Sequence, residues 1–266
     1  MHLLNIFTDY SLIVIASIIG FAFIAGFIDA VVGGGGLIQL PVLLIGLPKL
    51  PIPTLFGTNK IAALSGTSMA AYHYAKRIKF NYQLLFITAI CAAIASFSGA
   101  RVVSLINPGT LKPLILLILI VIALYTFFKK DLGAVQTKSL NAAKQNIYGA
   151  LIGFVVGFYD GFFGPGTGSF LVLGFVLIIG FEFVQASAYA KIINCVTNFS
   201  ALIIFIKQGN YVLELAALMA IANIAGNIIG ARMALKKGNA FVRIIFLVIV
   251  MIMIVRYAYD VFKLYY

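Results

Sequence analysis

Acidic residues are scarce in this chain. Seven Asp and Glu stand against 19 Lys and Arg in 266 residues, and charged residues together make up only 10%. A soluble fold of this size needs a far larger polar exterior, which argues against a water-soluble all-α protein with buried core helices. Cysteine and histidine are scarcer still. Cys91 and Cys195 sit alone in apolar segments, so they supply neither a disulfide framework nor metal-ligand spacing. His2 and His73 are too few and too far apart to form a metal site. Nucleophile–base pairs and cofactor motifs are missing as well. The glycines at 33 and 35 lack a third at 38, which is Ile38, and neither glycine cluster ends in Gly-Lys-Ser/Thr, so neither reads as a nucleotide loop. These absences point away from an enzyme and call for no cofactor or metal. Residues 1–10 carry no basic n-region and no A-x-A-like site follows the first apolar run, so 11–32 reads as a retained helix.

Long apolar runs fill the space. The chain is 63% hydrophobic, with a mean hydropathy of +1.10. Runs at 11–32, 82–100, 111–128, 212–229 and 241–255 each approach the roughly 20 residues that a helix needs to cross a bilayer. Two more long helices are expected around 57–74 and 186–206. The net charge of +12 would suggest nucleic acid in a soluble protein. Here the Lys and Arg gather in short loops beside the apolar runs, where anionic membrane lipid is the natural partner. The expectation is an all-α polytopic protein of the inner membrane, without a nucleic-acid partner; a homo-oligomer is compatible with it.

Slid against itself by 131 residues, without a gap, the sequence repeats its rarest letters. Gly26-Phe27-Ile28-Asp29 falls on Gly157-Phe158-Tyr159-Asp160, Gly33 and Gly35 on Gly164 and Gly166, and Lys60-Ile61 on Lys191-Ile192. Lys76 falls on Lys207, and Gly99-Ala100-Arg101 on Gly230-Ala231-Arg232. Chance matches in an apolar chain would be Leu, Ile and Ala, so the pattern reads as an internal duplication. The units are 1–128, a polar linker at 129–146, and 147–266. Each carries about four long helices and a short piece after a glycine-rich break, at 37–47 and 169–181. At 1.5 Å per residue the first piece spans about 16 Å, half a bilayer. Half-length helices at matching places in two halves point to the binding site of a secondary transporter. If the short pieces cross, the halves are inverted, with 11–128 related to 142–259 by an axis in the membrane plane; if they re-enter, the halves are parallel. The distribution of Lys and Arg favours inversion.

The candidate site follows from cost. Asp29 and Asp160 lie deep in apolar segments just before the breaks, where an ionised carboxylate needs a cation, a proton or water. They are read either as proton-coupling groups or as members of structural ion pairs. Lys60, preceded by Asn59, and Lys191, followed by Asn194 and Asn198 on one helical face, are read as anion ligands facing a shared central cavity. Salt bridges to the aspartates or snorkelling to headgroups are the alternatives. Gly34, Gly35 and Gly36, and Gly166, Thr167 and Gly168, let the backbone leave the helix and present N–H groups at the start of the next, a good anion site. Close helix packing is their other use. Gln39 and Ser169 flank the breaks as further donors. Arg101 and Arg232 are expected at helix ends near membrane surfaces, and His73 at the interface.

Taken in order, the Gly26-Phe27-Ile28-Asp29 stretch with its glycine run, Gly57-Thr58-Asn59-Lys60, Gly-Ala-Arg at 99–101, Pro165-Gly166-Thr167-Gly168 and Lys191-Ile192 resemble the TauE/SafE sulfite-exporter family. The resemblance covers nearly the whole chain. It implies a bacterial transporter of sulfite, sulfonates or related organosulfur anions, and attaches that role to Asp29, Lys60, Asp160, Lys191 and the glycine breaks. A passive anion channel is the competing class, because the same lysines could line a pore.

Overall fold

The computed structural model describes residues 10–102 and 140–265. The helix expected at 111–128 and most of the linker lie outside them. Among the described residues there are eight helices and no strand: α1 Leu12–Val32, α2 Gly35–Gly46, α3 Ile52–Ala75, α4 Tyr82–Val102, α5 Ala142–Phe162, α6 Thr167–Gly174 running on into a π turn at Phe175–Ile179, α7 Phe183–Lys207 and α8 Leu213–Tyr265. Four stretches are long and apolar enough to cross a membrane: Leu12–Val32, Tyr82–Val102, Phe183–Lys207 and Leu213–Ile245. Their outer faces carry exposed Phe86, Ile94, Ile221 and Ile229, the surface that a hydrocarbon solvent selects. α7 is the most enclosed of the four.

Three boundaries differ from expectation. α5 starts inside the expected linker, because the Asn141 side chain caps it by accepting a bond from the Lys144 N–H at 2.9 Å. A polar composition hid a helix start. The expected run at 212–229 continues as helix as far as Gly238 (φ 71°, ψ −163°), a non-helical kink that separates it from the part of α8 carrying the run at 241–255. Arg232 therefore sits within α8 rather than at its end, while Arg101 does lie in the last turn of α4. The breaks are also narrower than expected, since Gly35 and Gly36 belong to α2 and Thr167 and Gly168 to α6.

α1 ends at Gly33, whose φ of 83° is the left-handed conformation that glycine adopts without strain. The chain then doubles back. Gly35 packs on Ala25 and Asp29, Gly46 on Ile18 and Val14, and Gln39 Nε2 donates to the Ile18 carbonyl at 3.4 Å. α2 thus runs antiparallel to α1, back toward the end from which α1 set out.

Small residues set the other contacts. Gly149, Gly153, Gly157 and Gly161, four residues apart on α5, meet Leu84, Thr88, Ala92 and Ser96 of α4 in turn, so these two helices run side by side in the same direction. Their first residues share an end, with Asn81 Nδ2 donating to Gln145 Oε1 at 3.5 Å. α1 and α8 pair likewise: Gly26 meets Asn223, and Gly230 meets Phe27 and Ala30. α3 and α7 are antiparallel, with Lys60 beside Asn198 and Ser68 Oγ 3.7 Å from Cys195 Sγ. Without a hydrophobic force between helices in lipid, such close backbone approach is the main source of association. A Cβ on Gly161 would overlap the Ser96 carbonyl, whereas one on Gly20 would meet nothing within 4 Å. Gly161→Ala is therefore expected to cost about 1–3 kcal/mol by overpacking. In fluorescence-detected gel filtration of detergent extracts it should lose its monodisperse peak, and Gly20→Ala should keep it.

Candidate functional site

Two buried ion pairs cross between the halves of the chain. Lys60 Nζ on α3 lies 3.0 Å from Asp160 Oδ2 on α5, and Lys191 Nζ on α7 lies 3.3 Å from Asp29 Oδ2 on α1. Each lysine thus meets the aspartate that precedes the other half's break. In a low-dielectric interior each charge would be costly alone, and the pairing with added hydrogen bonds offsets that cost.

The surroundings of the two pairs differ. Lys60 also donates to Asn198 Oδ1 at 3.1 Å, and Asn198 Nδ2 donates to Asn194 Oδ1 at 3.2 Å. Thr167 donates to Asp160 Oδ1 at 2.8 Å. Asn59, Lys60, Asp160, Thr167, Asn194 and Asn198 border a cavity of about 30 Å³ between the two breaks. That is room for about one water, and the polar side chains around it are buried. Phe56 and Phe163 contribute apolar wall, with their rings edge-on at 6.5 Å.

Lys191 departs from the expectation of two lysines on one cavity. It is fully buried, it does not border the cavity, and its Nζ donates to the backbone carbonyl of Asp29 as well as pairing with the carboxylate. The reason is that α1 stops inside the protein and leaves its last carbonyls without helical partners. Tyr74 Oη donates to the Ala30 carbonyl at 3.0 Å, Ser187 Oγ to that of Val31 at 3.2 Å and Ser169 Oγ to that of Val32 at 3.0 Å. The Ser169 N–H takes the Gly33 carbonyl at 3.2 Å. Lys191 adds a second donor to the Asp29 carbonyl, which already accepts the Gly33 N–H at 2.7 Å, and sets a cation at the negative end of the α1 dipole. Thr67 donates to Asp29 Oδ2 at 2.8 Å.

The glycine breaks meet each other. A Cβ on Gly33 or on Gly168 would collide with the other's backbone, and one on Gly36 would lie 3.5 Å from Pro165 Cα. Gly33, Gly36, Gly166 and Gly168 border the cavity, while Gly34 and Gly35 do not. Part of the α6 N-terminus is already engaged, through Ser169 N–H on Gly33 and Thr167 N–H on the Gly164 carbonyl at 3.2 Å. Of the flanking donors, Gln39 serves Ile18 and Ser169 serves Val32, away from the cavity. Thr67, Tyr74 and Ser187 were missed by sequence reasoning. One signal was there for Thr67: it stands 131 residues before Asn198, and each serves the ion pair on its own side.

Comparison with known proteins supplies the context. The model of the family described as "Sulfite exporter TauE/SafE" matches residues 18–257. A Sinorhizobium sp. protein named "Probable membrane transporter protein ORF9" is 35% identical over 240 residues, covering 90% of each chain. A Haemophilus influenzae "Probable membrane transporter protein" is 31% identical over 252 residues, covering 95% of this chain and 97% of its own. "Probable membrane transporter protein YfcA" of Escherichia coli is 32% identical over 243 residues, covering 90% of this chain and 87% of its own. No solved structure matches the chain. With four spans apolar enough to cross a bilayer among the described residues and a family match over most of its length, the chain is a multi-pass plasma-membrane protein, a transporter rather than an enzyme, and belongs to the TauE/SafE sulfite exporter family.

Proposed function

We propose that this protein is a secondary transporter of a small oxyanion of the sulfite or sulfonate type, and that Lys60 is the group on which the anion is held. The observation that carries the reading is the cavity between the breaks, bordered by the Lys60 ammonium and by three amide side chains, Asn59, Asn194 and Asn198. An ammonium supplies charge, amides supply N–H donors, and Gly166 and Gly168 leave room for close approach of backbone. The printed name of the family supports sulfite within this class. Because the cavity has room for about one water, binding requires the breaks to separate and Asp160 to yield Lys60. Flux of radiolabelled sulfite into proteoliposomes tests the reading. Saturable uptake against a gradient is expected; flux that runs only downhill would make the protein an anion channel.

The same reading includes an inverted duplication. Helix boundaries recur near the 131-residue offset: α1 and α5 begin at 12 and 142, α3 and α7 at 52 and 183, α4 and α8 at 82 and 213. Support for inversion comes from direction. α3 and α7, counterparts at this offset, run antiparallel, with Lys60 beside Asn198 and Ser68 beside Cys195. Because α2 returns along α1, the pair crosses nothing net, which removes the premise that re-entry makes the halves parallel. Single cysteines test it. On a Cys91→Ser/Cys195→Ser background, Lys79→Cys and Gln208→Cys should react with an impermeant maleimide from opposite sides of the membrane. Labelling from the same side would sink the inversion.

A further inference from the structure

A second, larger cavity lies where α3 ends and α7 begins. Its volume is about 660 Å³, and it is bordered by His73, Lys76, Arg77, Val184, Arg232 and Lys236, among others. Lys76, Arg77, Arg232 and Lys236 are exposed, and among the described residues none lies within 4.0 Å of a carboxylate. Four cations, two just past the end of α3 and two on α8, thus converge on one concavity with no counter-charge at contact distance among the described residues. Lone basic side chains at a membrane surface are ordinary; a basic concavity of this size without carboxylates is a site for a polyanion.

The arrangement is also one-sided. Lys76 and Arg232 have basic counterparts at the 131-residue offset, Lys207 and Arg101, but Arg77 falls on Gln208 and Lys236 on Leu105. Arg101 stands over the Phe97 ring at 4.4 Å, as Lys76 stands over the Tyr72 ring at 4.2 Å. The extra charge has therefore been added at one end only. Between this cavity and the central one stands the layer in which Tyr74 and Ser187 hold the carbonyls of Ala30 and Val31. His73 neighbours Tyr74 in sequence, and Val184 precedes Ser187 by one turn.

We propose that this basic cavity is a second anion site, holding a tetrahedral or pyramidal oxyanion, either a free dianion or the singly charged phosphodiester of a lipid headgroup. The inference does not rest on Lys60 as a ligand. For a free anion the site would raise the local concentration outside the capped end of α1; for a lipid it would anchor this end of the protein.

Sulfate is the probe, with equilibrium binding measured on the full chain in phosphatidylcholine nanodiscs. It is measured in wild-type protein and in a Lys60→Met/Asp160→Asn background, which removes the central site. The triple change Arg77→Gln/Arg232→Gln/Lys236→Gln is expected to weaken sulfate binding at least about tenfold in both backgrounds and to flatten its salt dependence. The charge-keeping triple Arg77→Lys/Arg232→Lys/Lys236→Arg should stay within about threefold. Lys236→Gln alone, at an exposed position, should weaken binding about threefold and provides the test if the neutral triple does not fold. Adding phosphatidylglycerol separates the sources: competition with sulfate identifies a headgroup site, and unchanged sulfate binding a free-anion site. Loss of sulfate binding only in the Lys60→Met/Asp160→Asn background would assign the anion to the central cavity and overturn the proposal. So would neutral variants that keep wild-type affinity.

Discussion

Replacing Lys60 by methionine together with Asp160→Asn is expected to leave a folded protein that neither binds nor moves the anion, whereas Lys191→Met is expected to leave little folded protein at all. The two lysines look equivalent in sequence, and each is paired with an aspartate at 3.0 or 3.3 Å. What separates them is the work their surroundings leave them. Lys60 borders the cavity, with Asn59 and Asn194 beside it and Asn198 within hydrogen-bond reach. Lys191 is sealed away from the cavity and caps the end of α1. Removing one member of a buried pair leaves the other uncompensated, at about 3–5 kcal/mol. At the Lys191 site the loss also removes the cation from the negative end of a helix that stops inside the protein. At the Lys60 site the paired Asp160→Asn change removes the orphan charge, so folding survives and the missing cation can be read in binding alone. The check is thermal unfolding and sulfite binding of Lys60→Met/Asp160→Asn beside Lys191→Met/Asp29→Asn. Equal loss of binding in two well-folded double variants would return Lys191 to the role of a ligand.

That asymmetry shows what the sequence could and could not disclose. Four buried charges were legible because charged residues are so rare in this chain that their recurrence at a constant offset stood out. Which lysine meets which aspartate was not legible, since both within-half and cross-half pairing satisfy the same cost argument. The unequal environments were in principle readable. Around Lys60 stand Asn59, Thr167, Asn194 and Asn198; the positions 131 residues away are Ala190, Gly36, Ala63 and Thr67. Three amides on one side against none on the other is the difference between a polar cavity and a packed brace. The return of α2 along α1 depends on Gly46 meeting Val14 and Ile18, and hydropathy carries no trace of it. The start of α5 at Ala142 depends on one capping asparagine inside a polar stretch, where composition alone reads as loop. Basic residues 76, 77, 232 and 236 were visible as membrane-flanking charge, but only the fold brings α3 and α8 together around one cavity.

Asp160→Asn alone is expected to make anion binding independent of pH, while the wild-type protein binds more tightly as pH falls. Asp160 Oδ2 holds Lys60 at 3.0 Å, with Thr167 on the other carboxylate oxygen, so an arriving anion competes with this carboxylate for the ammonium. On the proposed binding mode, an anion seated on Lys60 would leave Asp160 deprived of its cation at a buried position, and a proton taken up there would remove that charge. Substrate and proton then enter together, and lower pH favours the complex. By linkage the dependence is reciprocal: binding takes up protons wherever protonation strengthens binding. In the Asn variant the competing charge is gone at every pH, so affinity should sit near the low-pH limit of the wild type throughout. An alkyl sulfonate is the suitable probe, because its own charge does not change over the range used. Net flux in proteoliposomes should lose its response to an imposed pH gradient, while counterflow of labelled against unlabelled substrate continues. The corresponding Asp29→Asn change should behave otherwise, for it strips a partner from the fully buried Lys191 and should lower the yield of folded protein with no altered pH profile in what remains. A wild-type pH profile in Asp160→Asn would show that Asp160 carries no proton in the cycle. Movement of the anion would then be driven by its own gradient and the membrane potential alone.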